Sequence, residues 1–111
     1  MRYMLLVCDE PRRMSPAELA AWPEHAEWIG EMTRRGVLQG GGQLRPGREA
    51  STVRVRDGEI LVTDGPFAET KDLIGGIALL ECADLKEAIE VAAAHPLAKH
   101  GTIEVRPIWD E

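Results

Sequence analysis

The chain is poor in aromatic side chains, which make up 5% of its 111 residues, and it has no excess of positive charge. Nineteen acidic residues face 13 basic ones, for a formal net charge of −6. Nucleic-acid binding asks for a clustered positive surface that displaces counterions from phosphates, and single strands also ask for stacking platforms. The short basic groups Arg12-Arg13, Arg34-Arg35 and Arg54/Arg56 supply neither. Cysteine is scarce as well: Cys8 and Cys82 each end an apolar run, which predicts buried, reduced thiols rather than a disulfide framework or a metal site. Ser15 and Ser51 are the only serines, and neither sits in a nucleophile-elbow pattern. No apolar stretch approaches the length of a membrane span. Met1-Arg2 lead straight into a strand-like segment too short for the apolar core of a secretory signal. A cytoplasmic protein without membrane contact is expected.

What is present fits one ordinary domain over residues 1–111, with 44% hydrophobic and 29% charged residues. Residues 2–8 read as a strand apolar on both faces. Ser15-Pro16-Ala17-Glu18 combines an N-cap serine, a first-turn proline and a capping-box glutamate. Pro23 divides the helical region into a short turn of helix up to Ala21 and a main helix over 23–35, closed by Gly36 in the left-handed cap position. Leu19, Trp22, Ala26, Ile29 and Thr33 recur at helical spacing and predict its buried face. Residues 37–44 form a strand whose Gly40-Gly41-Gly42 marks a bulge, or a place where a ligand or another backbone comes close. Residues 51–56 and 59–63 make a hairpin around Asp57-Gly58. A nearly continuous apolar stretch over 73–82 is a central strand. Asp84 and Glu87 open a second helix with Leu85, Ala88, Ile89 and Ala92 as its buried stripe, stopped by His95-Pro96. Residues 102–108 are the last strand.

Strand, helix, strand, hairpin, strand, helix, strand predicts an α+β, ferredoxin-like antiparallel sheet with two helices on one face. Two helices cover only one face of a sheet whose main strands are apolar on both, so a second copy packed sheet to sheet is the economical cover. A ligand cleft is then expected near that dimer seam.

The densest cluster of unusual residues is the segment 63–72. Asp64, Glu69, Lys71 and Asp72 put four ionisable groups beside the only phenylalanine, Phe67. Such groups shift one another's pKa and can supply an acid, a base or an anion clamp. The alternative is a structured turn in which Gly65 takes a special dihedral, Pro66 rigidifies and Phe67 plugs the core. His25 lies at the edge of the helix face, as a base or as a packing residue. His95 stands at a helix C-terminus, where the macrodipole favours its protonated form. His100 falls in a surface loop. No two histidines share the close helical spacing of a metal site and the carboxylates lack a calcium-loop pattern, so a metal has no support. Gly40-Gly41-Gly42 lacks the lysine and following helix of a phosphate loop, and no cofactor is expected. Strand alternation turns Glu104 and Arg106 to the face opposite the helices, as an intersubunit salt bridge or as an anion-binding arginine.

Asp64-Gly65-Pro66-Phe67-Ala68-Glu69-Thr70-Lys71, followed by Ile74-Gly75-Gly76, resembles the signature of DGPF-domain proteins in the YCII-related family. The Gly-rich second strand ending in Leu44-Arg45-Pro46 and the closing segment 101–108 are similar as well, so the resemblance spans the chain. It implies a dimeric α/β-barrel fold. It also implies a group that includes enzymes acting on small ring compounds, with a histidine–aspartate pair proposed as active site. The histidine corresponds to His25; the aspartate would precede a proline after the second helix, a position held here by His95 before Pro96. Some members occur beside extracytoplasmic-function sigma factors. The resulting expectation is a homodimer that binds a small anionic molecule, with cofactor-free acid–base chemistry on His25, His95 and Asp64. Gly65, Pro66, Phe67, Glu69, Lys71 and Arg106 would hold the ligand. The alternative is a non-catalytic regulatory module, for instance with a sigma factor as partner.

Overall fold

Strand β1 (Arg2–Cys8) is the axis of the molecule, because Tyr3, Leu5 and Val7 alternate onto one face and are buried there. The computed structural model describes residues 1–8, 14–66 and 74–110. Among these, β1 is followed by α1 (Pro16–Ala20), α2 (Pro23–Arg34), β2 (Leu38–Gln43), β3 (Ser51–Arg56), β4 (Glu59–Asp64), β5 (Ile74–Glu81), α3 (Leu85–Ala94) and β6 (Thr102–Pro107). The main sheet has the order β2-β5-β1-β6, antiparallel throughout, and β3-β4 form a separate two-stranded ribbon. This is the ferredoxin-like α+β arrangement expected from the element order, with the hairpin as an addition. No helix among the described residues is long and apolar enough to cross a membrane.

Local signals act where the sequence places them. The Ser15 hydroxyl accepts from the Glu18 N–H at 3.1 Å and the Glu18 carboxylate accepts from the Ser15 N–H at 3.0 Å, a complete capping box. Replacing Ser15 by alanine should cost about 1 kcal/mol of stability, read as a lower urea midpoint. Pro23 sits at the first turn of α2, where its missing N–H costs nothing. Gly36 follows α2 with a φ of +73°. Asp57 and Gly58, at φ 51° and 79°, make the tight turn of the ribbon.

The buried helix faces match the expected ones only in part: Leu19, Ala88 and Ala92 are buried as expected. On α2 it is Trp28 and Met32 that are buried, while Ala26, Ile29 and Thr33 are exposed. On α3, Ala88, Val91 and Ala92 are buried, whereas Leu85 and Ile89 are about half exposed. The cause is Trp28. Its indole N–H donates to the Val91 carbonyl at 3.0 Å, so the largest side chain of α2 is wedged towards α3 and sets the rotation of both helices. Tyr3, Leu5, Ala78, Leu80, Trp28, Met32, Ala88 and Val91 form the main core between sheet and helices. Both cysteines are buried, as expected.

Candidate functional site

Where β2 and β5 pair, the helix-facing floor of the sheet is almost without side chains. Gly41 lies opposite Ala78, Gly42 opposite Ile77 and Gln43 opposite Gly76. Helices packed over a floor of Gly40, Gly41, Gly42, Gly75 and Gly76 cannot fill it, and a cavity of about 310 Å³ results. Its wall is largely apolar, with Leu5 and Val7 of β1, Leu19, and Trp28 and Ile29 of α2. The cavity is therefore on the helix side of the sheet, not on the open face where the dimer seam was expected. The glycine-rich strands make it, and on the open face Met4, Leu6, Ile77 and Leu79 keep their side chains.

Two histidines stand in this wall. Their ring centroids are 5.5 Å apart with the planes at 71°, an edge-to-face contact. His25 is held by α2, one turn before Trp28. His95 is placed by the stop after α3, where Pro96 begins a 3-10 turn (Pro96–Lys99). The His95 ring lies 4.6 Å from the Trp28 indole, and His25 stacks on Trp22 with centroids at 6.5 Å. His95 is 5% exposed, and its Nδ1 accepts the Leu97 N–H at 3.1 Å. Burial, with a smaller contribution from a charge on His25, pushes its pKa down to about 4. The expectation that the α3 dipole would favour the imidazolium is overturned. The backbone N–H of Leu97 occupies Nδ1, desolvation outweighs the helix end, and the neutral ring carries its proton on Nε2. Burial also lowers the pKa of His25, whose side chain makes no hydrogen bond with any described residue.

Gln43 completes the polar part of the wall. Its amide nitrogen donates to the Met14 carbonyl, and its Oε1 is buried with no hydrogen-bond partner among the described residues. An orphaned buried acceptor is expensive, and a donor on a bound molecule would satisfy it.

Of the described residues singled out from the sequence for the site, the fold brings together His25 and His95 and leaves Asp64, Gly65, Pro66 and Arg106 outside the cavity wall. Asp64 is exposed at the end of β4, in the ribbon. The Gly65 N–H donates to the Ala50 carbonyl at 2.7 Å and the Thr52 hydroxyl donates to the Gly65 carbonyl at 2.8 Å, which ties the base of the ribbon as a structured turn. Pro66 is exposed after it. Arg106 is paired with Glu104 at 2.5 Å on β6, 68% exposed, and does not line the cavity. Phe67, Glu69 and Lys71 lie outside the described residues. Trp28 and Gln43 were not legible as site residues, although the spacing His25-x-x-Trp28 puts both on one helix face.

Comparison with known proteins gives the chain a family. The YCII-related domain model matches residues 1–111. An uncharacterised protein of Rhizobium meliloti (strain 1021) is 44% identical over 70 residues, which is 60% of this chain and 55% of that protein. The chain thus spans little more than half the length of that relative. Among solved structures, 5-chloro-2-hydroxyhydroquinone dehydrochlorinase from Burkholderia phenoliruptrix AC1100, in complex with 2,5-dihydroxybenzoquinone, superposes with a TM-score of 0.48 at 16% identity. That superposition covers 99% of this chain and 94% of the other.

Proposed function

The chain belongs to the YCII-related domain family, and on that premise we propose that it binds a small, mostly apolar molecule in the glycine-floored cavity, with His25 as a proton acceptor. The observation that carries this reading is the contact of His25 with a buried, neutral His95 in the wall of one cavity. The two rings have different work. His95 is fixed by the Leu97 N–H, so its Nε2–H is a permanent donor. His25 has no hydrogen bond among the described residues, and desolvation keeps it in the free-base form near neutral pH. A ligand with an acidic O–H or C–H gives its proton to His25, which becomes imidazolium, and the electron pair stays on the ligand as an anion. The Nε2–H of His95 and the new positive charge then stabilise that anion. Among the described wall residues there is no lysine or arginine. The ligand we infer is therefore uncharged on entry rather than the anion first expected, with Gln43 accepting a hydrogen bond from it.

The test is a panel of small hydroxylated aromatic and cyclic carbonyl compounds added to 15N-labelled protein. A compound that binds in the cavity should shift the Trp28 indole N–H and the backbone amides of Gly40, Gly41 and Gly42. Replacing His25 by alanine should weaken such a compound about fivefold or more, the worth of one hydrogen bond. Shifts confined to other surfaces, or an indole signal that no compound moves, would sink the proposal.

A further inference from the structure

On the helix side of β5 the side chains shrink along the strand, from Leu80 to Ala78 to Gly76. Each stands in a cross-strand row between a residue of β1 and one of β2. The first row, Tyr3–Leu80–Leu38, is filled, with Tyr3 and Leu80 fully buried. The next two rows, Leu5–Ala78–Gly41 and Val7–Gly76–Gln43, have only a methyl group or a hydrogen at the centre. All six residues of these two rows line the cavity, whereas Tyr3 and Leu80 do not. The cavity therefore lies over two rows of the sheet and ends where β5 first supplies a leucine.

Its volume limits what it can hold. An apolar cavity of about 150 Å³ takes one benzene, six carbon atoms. At about 310 Å³ this one takes roughly twice that, ~12 non-hydrogen atoms. Two fused six-membered rings with one or two oxygens come to that count. A single ring would leave half the space without dispersion contacts, and a third fused ring exceeds the room. The oxygens belong beside His25, His95 and Gln43, and the rest of the ligand lies against apolar wall and glycine floor. Resting on the reading of this cavity as a site for an acidic, mostly apolar molecule, we propose that its ligand is a hydroxylated compound of two fused rings and that Ala78 sets this size. A leucine side chain at that position would carry the packing of the Leu80 row one row further and leave space for one ring.

Three phenols of increasing size test this, each titrated into 15N-labelled protein and read at the Trp28 indole N–H. 2-Naphthol should bind about 30-fold tighter than phenol, the worth of its four further buried carbons. 2-Hydroxyphenanthrene, although more apolar, should bind more weakly than 2-naphthol. Ala78→Leu should reverse the first order, so that phenol becomes the tighter ligand. Should that variant fail to fold, Ala78→Val removes less of the cavity and should cut the preference for 2-naphthol at least threefold. An affinity that keeps rising through the third ring, or phenol binding as tightly as 2-naphthol, overturns the size limit while leaving the cavity a binding site. A preference for 2-naphthol that survives substitution at Ala78 overturns the role of that residue. An indole signal unmoved by all three compounds is the failure of the underlying reading, and this proposal falls with it.

Discussion

Alanine in place of Gly41 is expected to destabilise the protein by about 3 kcal/mol, while Gly40→Ala and Gly42→Ala each stay within about 1 kcal/mol of the parent. The three glycines are neighbours in one strand, and only the middle one is tightly enclosed. A Cβ on Gly41 would lie 2.3 Å from the Ile77 carbonyl oxygen and 2.8 Å from the Ala78 Cα, whereas a Cβ on Gly40 or Gly42 meets nothing within 4 Å. The obstructing atoms are backbone of the paired strand β5, which cannot swing aside as a side chain would. Gly41 also has a φ of +138°, a backbone conformation that L side chains rarely adopt. Relief would come only by moving β2 away from β5, which takes the floor of the cavity with it. Urea denaturation of the three variants is the measurement. Equal losses at all three positions would mean that the strand needs glycine for general reasons and that the close approach to Ile77 is not the cause.

The triplet shows where reading the sequence succeeded and where it stopped. Glycines inside a strand say that something approaches, and here two things do: the backbone of β5 and the empty space of the cavity. Which side of the sheet that space lies on depends on the pairing register of β2 against β5, and register is a tertiary property. Caps and turns were legible because they are local: Ser15 and Glu18 bond each other across three residues, and Asp57-Gly58 close a hairpin on the spot. The phase of α2 was not. Ile29 and Trp28 are equally apolar neighbours, and the choice between them was made by a hydrogen bond from the indole to Val91, 63 residues away. The same distance in sequence hid the site. His25 and His95 meet only because α2 and the end of α3 pack side by side over β1 and β5.

The state of His95 is a consequence of that packing, and it makes the second large prediction. In the unfolded chain its pKa is the ordinary 6.5; in the fold, burial and then the nearby His25 bring it to about 4. Above pH 6.5 the ring is neutral in both states and contributes no pH dependence. Between 6.5 and about 4 the unfolded chain takes up a proton that the folded protein refuses, so stability falls as the pH drops. Below about 4 both states are protonated and the loss levels off, at about 3 kcal/mol. From pH 7 to pH 5 the expected loss is about 2 kcal/mol, and the lowered pKa of His25 adds to it in the same direction. His95→Asn separates this from the titration of every other group, since an asparagine oxygen can still accept the Leu97 N–H but cannot take a proton near pH 5. Unfolding free energies from urea denaturation at the two pH values should differ by about 2 kcal/mol less in the variant than in the parent. An identical pH slope in both would mean that His95 is not kept neutral by the fold. His25 would then lose the fixed donor at its side, and the division of labour proposed for the two rings would fall with it.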